Sequence, residues 1–203
     1  TQGLIRPYIP PMEPALPARP RTLETQTDRK DVTGIHIQWL FESATVRLNR
    51  WRCHQTATGL TGERQQFWSV IGFVHAGAYE LVSPRGNALI DPMQAAFLNP
   101  LEAYRTRHPC GCGDHGSSLI LREDILREMM SSYRPDLGES EAGPFHQPAG
   151  PCPDRAFLRH RSLLRDLETG NVADPLKIEE TALDVANEVV AAALAPMRPF
   201  PPR

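Results

Sequence analysis

Residues 71–109 read IGFVHAGAYELVSPRGNALIDPMQAAFLNPLEAYRTRHP, and the fold class is most clearly indicated by this stretch. It consists of short runs rich in β-branched, aromatic and aliphatic side chains, separated by Gly, Pro, Asn or Asp. Side chains of the first kind are typical of strands, and the separating residues are typical of turns. The stretch therefore predicts consecutive strands joined by tight turns, including turns at residues 83–86 (SPRG) and 91–92 (DP).

The same texture continues on both sides, so that short runs of this kind extend over residues 35–121. Several runs alternate: Val46 and Leu48 point to one face, and the residue after each of them points to the other. About eight short strands at this spacing, with no long helical pattern between them, predict an antiparallel sandwich or barrel rather than a parallel sheet. We assign residues 35–133 to this barrel domain.

Beyond residue 121 the apolar spacing becomes helical. Residues 122–133 predict a short helix that completes the barrel domain, and residues 134–153, rich in proline and glycine, predict a loop. Two amphipathic helices follow, at about 154–168 and 174–195, because each has an Asp at its start and an apolar stripe along one side. The predicted fold class is therefore mainly β with C-terminal helices.

The apolar stripe of the last helix raises the question of what covers it. Its members are Leu176, Leu183, Ala186, Val190 and Leu194. The two helices can cover their own barrel, or they can pair with a second copy, since a stripe that contains alanine lets helices approach closely. We expect a homodimer, because the stripes are longer than one side of a barrel needs. Residues 154–195 are accordingly predicted to be a helical dimerisation segment.

Proline-rich segments flank these two regions. Residues 1–34 hold six prolines in their first twenty positions, and proline fixes φ and removes a backbone donor. This composition predicts an extended or disordered N-terminal arm, which is either a passive tail or an arm that closes over a ligand or a neighbouring subunit. Residues 196–203 (PMRPFPPR) look like the beginning of a linker.

Charge and composition exclude several classes of function. The 22 basic and 24 acidic residues leave a net charge of −2, whereas nucleic-acid binding normally needs a basic stripe, so this chain alone is not expected to bind DNA. No apolar run is long enough for a membrane span, and the N-terminal residues lack the apolar core of a secretory signal. Four cysteines in a chain of this size do not resemble a disulfide scaffold, which favours a reduced, cytoplasmic setting.

The order and spacing of motifs between residues 71 and 109 resemble the N-terminal sensing domain of AraC-type transcription regulators. In such domains a Gly after a hydrophobic strand is followed by a D-P turn, an F-x-N-P strand, an E-x-Y-R step and an H-P pair. The matching elements here are Gly77, Asp91-Pro92, Phe97 to Pro100, Glu102 to Arg105, and His108-Pro109. The resemblance covers roughly residues 45–125.

The resemblance implies a cupin-like antiparallel β-barrel followed by helices that dimerise. It also implies a small-molecule effector, and binding to DNA through a pair of helix-turn-helix motifs that are absent from this chain, with RNA polymerase as a partner of the full-length protein. It implies neither an enzymatic activity nor a cofactor. The first hypothesis is therefore an effector-binding and dimerisation domain of a transcription regulator.

The same barrel type also carries metal-dependent enzymes, which gives a further hypothesis. Those enzymes resemble one another through an H-x-H-x(3)-E motif ahead of the hairpin glycine and a later histidine. Counting back from Gly77, the corresponding positions are about Arg64, Gln66 and Val70, and the later histidine falls on Tyr104. An arginine and a valine cannot replace an imidazole and a carboxylate at a divalent metal. We therefore predict that the chain is not an enzyme; a metal-dependent cupin enzyme would need relocated ligands.

Small barrels can hold one small molecule when their inward side chains leave room. The strands offer four candidate ligand contacts: Trp68, His75, Glu80 and Tyr104. Tyr104 is foremost, because the resemblance places it where enzymatic cupins direct a histidine into the lumen, and a phenol can stack on or hydrogen-bond an organic effector. The alternatives are that these rings simply fill the lumen, and that His75 is a hydrogen-bonded strand residue.

The loop PCGCGDHG at residues 109–116 is the other feature with chemical side chains. Zinc could take four ligands from this loop and its flank: His108, Cys110, Cys112 and His115. A single residue between the cysteines is tighter than the usual two, and the glycines and proline are also those of a plain turn. The pair Cys53-His54 on an earlier strand could add ligands if it lies nearby. A Cys/His-based metal or redox sensor on the same scaffold is therefore the second hypothesis.

Overall fold

The computed structural model describes five parts of the chain: residues 29–30, 34–56, 58–138, 143–171 and 174–195. Most of the segment predicted to be an N-terminal arm lies outside the described residues, and so does the whole segment predicted to begin a linker.

In the described residues the chain forms eleven strands and four helices. The strands are β1 (Arg29–Lys30), β2 (Ile35–Glu42), β3 (Val46–Cys53), β4 (Arg64–Gln65), β5 (Ser69–Ala76), β6 (Tyr79–Ser83), β7 (Gly86–Ile90), β8 (Gln94–Leu98), β9 (Ala103–Arg107), β10 (Asp114–Leu121) and β11 (Ala149–Pro151). The helices are α1 (Glu123–Tyr133), α2 (Pro135–Gly138), α3 (Asp154–Thr169) and α4 (Pro175–Leu194).

The strands form two sheets that face each other. The large sheet has the order β1-β2-β3-β10-β5-β8-β11, and the small sheet has the order β4-β9-β6-β7. The ladders between these strands are antiparallel. Residues of both sheets pack on each other, among them Val74 of β5 and Leu81 of β6. We call the interior between the two sheets the lumen.

The opposite face of the large sheet packs on the helices. Ile71 and Phe73 of β5 belong to a core shared with Leu164 of α3 and Val185 of α4, whereas Val74 belongs to the lumen. This alternation is the two-residue period of a strand. Because both faces of the large sheet are covered, the first six residues of β5 are all buried.

Local signals set the boundary between the two long helices. Gly170 ends α3 with a left-handed φ of 69°, and the carboxylate of Asp174 accepts a hydrogen bond from the backbone N–H of Leu176 at the start of α4. The predicted fold class, mainly β with C-terminal helices, is confirmed. Within the described residues, no helix combines the length and the apolar character needed to span a membrane.

The segment 134–153, predicted as a loop, contains two short elements, α2 and β11. β11 extends the large sheet beside β8, with Gly150 opposite Ala95. A Cβ on Gly150 would lie 2.8 Å from Ala193 of α4 and 2.8 Å from the ring of Phe97. Glycine therefore allows this edge strand to lie close to α4, a role that a count of glycines and prolines does not distinguish from a turn.

The stripe of α4 that was predicted to form a dimer interface is largely used within the chain. Ala186 and Val190 are 0% and 1% exposed in the core beneath α4. Leu183 and Leu194 pack against the same core, and Leu176 is exposed. The expectation that all five side chains meet a second copy is therefore corrected, since side chains buried in their own sheet cannot reach a partner.

Candidate ligand site in the barrel

The lumen is lined mainly by aromatic and aliphatic side chains. Its buried apolar members are Val74, Leu81, Ile90, Ala96 and Tyr104. Trp51 and Tyr79 pack against them, in an edge-to-face contact with ring centroids 6.1 Å apart. Burial raises the pKa of the Tyr79 phenol, and the neighbouring Asp114 and Tyr104 raise it further. An apolar wall with a few neutral polar groups is the usual lining of a small-molecule site.

Tyr104 lies in this lumen. It is the residue that the sequence analysis matched to a metal-binding histidine of enzymatic cupins. Its hydroxyl accepts a hydrogen bond from Nε2 of Gln66 at 2.8 Å. Arg64 of β4 lies opposite Tyr104 of β9 in the ladder, so the two side chains share a face. Val70, the fourth compared position, is buried in β5. These positions thus hold an amide–phenol pair, a guanidinium and an aliphatic side chain, none of which is a common metal ligand.

The other three predicted ligand contacts do not join Tyr104. His75 follows the lumen-facing Val74, so it faces the helices, where its ring makes an edge contact with Phe157 of α3. Glu80 forms an ion pair with Arg107. Its neighbour Leu81 faces the lumen, so Glu80 faces away from it. The prediction that these side chains converge with Tyr104 was wrong for His75 and Glu80, because residue type does not reveal which face of a strand a side chain occupies.

Trp68 also lies apart from the buried lumen. It is 42% exposed, and the guanidinium carbon of Arg47 lies 4.4 Å from the centre of its ring. This geometry is a cation–π contact at the surface of the barrel. Of the four predicted contacts, all of which are described, Tyr104 is the one in the lumen core.

The predicted four-residue zinc set is not assembled either. Cys110 and Cys112 are joined in a disulfide with a Cα–Cα separation of 5.2 Å, so their sulfurs bond to each other. His108 is buried, at 3% exposure. His115 lies on the helix face, where its ring makes an edge contact with His75 at 6.2 Å. The prediction was therefore wrong for this set. Adjacent strand residues face opposite sides of a sheet, so β10 directs Asp114, rather than His115, into the lumen.

A different set of side chains meets at one end of the lumen. Cys53 ends β3, His108 follows β9, and Asp114 begins β10 directly opposite Cys53 in the ladder. The sulfur of Cys53 lies 3.4 Å from Nε2 of His108, and Nδ1 of His108 lies 3.4 Å from Oδ2 of Asp114. One potential ligand atom from each residue lies within 4.8 Å of the other two. We call Cys53, His108 and Asp114 the lumen-end cluster.

Glycines bring the backbone close enough to build this cluster. Gly113 has a φ of +68°, and a Cβ on it would lie 2.6 Å from the carbonyl oxygen of Cys53. Gly77 has a φ of +83°, and a Cβ on it would lie 2.6 Å from the carbonyl oxygen of Gly113. Both the left-handed backbone and the close approach require glycine. The Gly-rich loop therefore presses Asp114 against β3 and against the turn between β5 and β6.

The electrostatics of the lumen-end cluster are unusual for buried groups. Both carboxylate oxygens of Asp114 and Nδ1 of His108 are buried, and within the described residues their polar neighbours are weak ones: Nδ1 and Oδ2 lie 3.4 Å apart, and the Cys53 thiol interacts with the carboxylate. Burial raises the pKa of Asp114 to about 6, and the thiol of Cys53 opposes that rise. Burial also raises the pKa of Cys53 and lowers that of His108, and the charge of Arg64 lowers both. These three groups therefore keep unused capacity to bind a ligand.

Two cavities lie near the barrel. The first, about 280 Å³, shares Arg64 and Gln55 with the surroundings of the lumen-end cluster, since the charge of Arg64 and the backbone of Gln55 both act on Cys53. The second, about 390 Å³, lies among the helices, and its lining includes Phe97, Phe145 and Val190. The lining of the first cavity includes none of the three cluster residues, and the second cavity is a separate space.

A second polar cluster lies under α3. The hydroxyl of Ser117 lies 2.9 Å from Nε2 of His75 and 2.7 Å from Nε2 of His160. The ring of His160 also packs on Phe73, with centroids 4.2 Å apart. Burial lowers the pKa of both histidines to about 3, and the charge of Arg161 contributes in each case. Neutral imidazoles bonded to a buried hydroxyl hold α3 on the sheet, which is a structural role.

Sequence reasoning missed Asp114 as a functional candidate and treated Cys53 only as a possible addition. The sequence itself does not mark the face of Asp114, because residues 119–121 are all apolar; the structure does. Leu119 and Leu121 pack on the helices, so the residues of even number in β10 face the lumen, and Asp114 is one of these. Its distance from Cys53 depends on the pairing of β3 with β10, which a single sequence does not reveal.

Comparison with known proteins bears on the barrel. No protein-family model and no curated protein sequence matches this chain. A cupin domain from Bordetella pertussis Tohama I is similar to 46% of this chain and 99% of its own, at 12% identity and a TM-score of 0.36. An RmlC-like cupin from Shewanella frigidimarina covers 50% of this chain and 89% of its own, at 13% identity and a TM-score of 0.40.

KdgF from Halomonas sp. is similar to the same extent, with 13% identity, a TM-score of 0.39, and coverage of 49% of this chain and 91% of that protein. These likenesses lie at 12–13% identity and at TM-scores below 0.5, so neither a family nor a function is assigned from them.

Proposed function

We propose that this chain is the effector-binding and dimerisation domain of an AraC-type transcription regulator. The observation that carries the proposal is where the motifs of the resemblance fall on the barrel. Gly77 lies between β5 and β6, Asp91-Pro92 lies between β7 and β8, and Asn99-Pro100 follows β8 directly. Tyr104, from the next motif, is buried in the lumen. The motif residues thus form consecutive turns and part of the wall of a single barrel, as expected of a complete sensing unit.

The proposed effector is a small molecule that occupies the lumen. Trp51, Tyr79 and Tyr104 offer ring faces and phenol groups to an organic ligand. The carboxylate of Asp114, buried without a good partner, adds an acceptor. Leaving such a group unpaired costs about 1–3 kcal/mol of folding free energy, so a ligand that donates a hydrogen bond there recovers part of that cost. Nothing in this proposal requires a cofactor or a catalytic step.

DNA binding is assigned to helix-turn-helix motifs outside this chain, and RNA polymerase is a partner of the complete regulator in the cytoplasm. The net charge of −2 supports that division, because DNA binding draws mainly on phosphate contacts from basic side chains. The homodimer would form through apolar side chains that the helices leave exposed. Leu158 of α3 and Leu176 of α4 are 66% and 64% exposed and are the foremost of these.

Thermal shift measurements test the effector proposal. The chain is heated with a panel of small aromatics, sugars and amino acids, and a bound ligand raises the unfolding temperature in proportion to the logarithm of its concentration above Kd. We expect at least one compound to stabilise the wild type and to stabilise Tyr104→Ala much less. Tyr104→Phe, which keeps the ring and loses the hydroxyl, distinguishes stacking from hydrogen bonding.

The matched control is Trp68→Ala, which removes an aromatic side chain outside the lumen core and should leave the stabilisation unchanged. Equal stabilisation of wild type and Tyr104→Ala would place the ligand elsewhere and remove the main support for a lumen effector. If no compound of the panel stabilises the wild type, the lumen does not bind an effector of these chemical classes.

A Cys/His-based metal or redox sensor on the same scaffold is the second candidate function. The specific observation in its favour is the lumen-end cluster, in which a thiol, an imidazole and a carboxylate meet within 4.8 Å. In this alternative the regulatory signal is a metal ion or an oxidant rather than an organic molecule. Its metal ligands would be Cys53, His108 and Asp114. Only His108 belongs also to the set that the sequence predicted from the loop.

A further inference from the structure

We propose that the lumen-end cluster is a mononuclear zinc site, formed by the Cys53 thiolate, the His108 imidazole and the Asp114 carboxylate. Three features support a metal here: the chemistry of the donors, their separation, and the lack of good hydrogen bonds at the buried carboxylate. None of these features depends on the chain being part of a transcription regulator.

The donor set selects for a borderline transition-metal ion. Thiolate and imidazole ligands suit zinc, whereas magnesium and calcium require oxygen ligands almost throughout their coordination shell. A thiolate and a carboxylate together supply two negative charges, which balance the charge of a divalent ion. Three protein ligands leave one tetrahedral position for water or for a small exogenous ligand.

The separations suit a tetrahedral ion after small side-chain shifts. Zinc–sulfur and zinc–nitrogen bonds of about 2.3 and 2.0 Å place neighbouring tetrahedral ligand atoms roughly 3.3–3.7 Å apart. The sulfur of Cys53 already lies 3.4 Å from Nε2 of His108. The three ligand atoms lie within 4.8 Å of one another, so their closure around one ion needs side-chain shifts of about 1 Å.

The partnering of these groups supports a ligand at this point rather than a closed network. The side chain of Asp114 is 1% exposed and that of His108 is 4% exposed, yet Asp114 Oδ1, Asp114 Oδ2 and His108 Nδ1 lack good hydrogen bonds to described residues. Buried polar atoms are nearly always paired in native proteins. A cation bound by the Asp114 carboxylate would use its free lone pairs directly, whereas Nδ1 of His108 would carry the ring proton when Nε2 is the ligand atom.

Elements of both sheets position the lumen-end cluster. Cys53 and Asp114 face each other across one ladder of the large sheet, and His108 follows β9 of the small sheet. A bound ion would therefore join the two sheets across the end of the lumen and stabilise the folded chain. Arg64 is the positive charge that opposes binding, since its charge acts on both Cys53 and His108.

The disulfide distinguishes this site from one made by the Gly-rich loop. Cys110 and Cys112 lie in the segment between His108 and Asp114, and their sulfurs are bonded to each other. They are therefore not needed as ligands. Replacing both by serine should leave zinc binding within about threefold of the wild type, whereas loss of a true ligand should exceed the 10- to 100-fold loss typical of outer-shell changes.

Cobalt substitution and zinc titration test the proposal. Protein purified without affinity-tag metals is titrated with Co²⁺, and we expect one equivalent to give the near-ultraviolet charge-transfer band of a cobalt–thiolate bond and the intense visible bands of tetrahedral cobalt. Zinc should displace the cobalt with the same stoichiometry and raise the unfolding temperature of the chain. Cys53→Ser should abolish the charge-transfer band, and Asp114→Asn should weaken zinc binding by more than about 100-fold.

The control variant is Cys152→Ser, which removes the other buried free cysteine and should leave the cobalt spectrum unchanged. Circular dichroism establishes that each variant is folded, and Asp114→Asn, which is nearly isosteric, keeps the test valid should Cys53→Ser unfold. A wild type without a cobalt–thiolate band, or a band that persists in Cys53→Ser and disappears in the Cys110/Cys112 double variant, would overturn the proposal. If the chain binds zinc but no compound of the thermal shift panel stabilises it, the zinc site stands and the effector proposal fails.

Discussion

At the scale of single residues, Gly113 shows how one backbone position holds the candidate site together. Its φ of +68° lies in the left-handed region, and a Cβ would meet the carbonyl oxygen of Cys53 at 2.6 Å. The contact is with backbone, which cannot move aside as the end of a flexible side chain can. An alanine at this position must therefore displace β3 or the loop before Asp114.

We expect Gly113→Ala to lower the free energy of unfolding by about 1–3 kcal/mol, as measured by urea denaturation, because both the conformation and the space oppose a side chain. Gly59→Ala is the matched control, since no atom lies within 4 Å of its Cβ position and its φ is not in the left-handed region. That control should change stability by less than about 0.5 kcal/mol. Similar losses in both variants would mean that the loop is not held against β3 as described.

His160 contributes to the pH dependence of stability, alongside His75, whose pKa is also lowered to about 3. His160 is fully buried, and its pKa is lowered to about 3, mainly by burial. Between about pH 6.5 and 3 the unfolded chain binds a proton at this residue that the folded chain does not bind, so the free energy of unfolding falls as the pH is lowered. Asp114 acts in the opposite direction between about pH 4 and 6, since its folded form retains a proton that the unfolded form has lost.

We expect His160→Gln to reduce the slope of unfolding free energy against pH by about 1.4 kcal/mol per pH unit between roughly pH 5.5 and 4. Glutamine can still form a hydrogen bond with Ser117 but does not titrate. Urea denaturation at a series of pH values measures the slope, and the exposed His54→Gln serves as control. An unchanged slope in His160→Gln would contradict the assignment.

At the scale of secondary structure elements, α4 shows how the fate of an apolar stripe is decided. Val190 is 1% exposed against the chain's own sheet, whereas Leu176 is 64% exposed at the start of the same helix. A charge at position 190 would be buried without a partner, whereas a charge at position 176 would remain in water. The same substitution therefore has different effects at the two ends of the stripe.

We expect Val190→Asp to unfold the chain, with a loss of about 4 kcal/mol or more, because it buries an unpaired carboxylate. Leu176→Asp should leave the chain folded and should shift a dimer toward monomer. Circular dichroism and sedimentation velocity at several concentrations separate the two effects. A wild type that sediments as a monomer throughout would contradict dimerisation, and folded Val190→Asp would contradict the packing of α4.

The existence and type of most elements could be predicted from the sequence because the periods of strands and helices are local. The runs before and after Gly77 became β5 and β6, and the ends near Gly170 and Asp174 agree with the structure. The face of each strand residue was not assigned, so His75 was taken for a lumen residue although its neighbour Val74 faces the lumen. The lumen-end cluster was missed because its residues meet only through the ladder that places Cys53 opposite Asp114.

At the scale of the whole molecule, the large sheet separates two environments. One face packs on α3 and α4, where a neutral Ser117–His160 contact fixes the helices, and the other face forms the lumen with its unpaired polar end. A ligand in the lumen contacts β10, and the helices rest on the same strand. In the proposed regulator, ligand binding at one face of this sheet would bias the packing of the dimerising helices at the other.

A crystal structure with the compound that raises the unfolding temperature most is the direct test of the central claim, that the lumen is the ligand site. We predict electron density for the compound between the two sheets, in contact with the Tyr104 ring and within hydrogen-bonding distance of its hydroxyl or of the Asp114 carboxylate. The cavity of about 390 Å³ beside Phe145 and Val190 is the competing location. Density there, with a lumen filled only by its own side chains, would contradict the account.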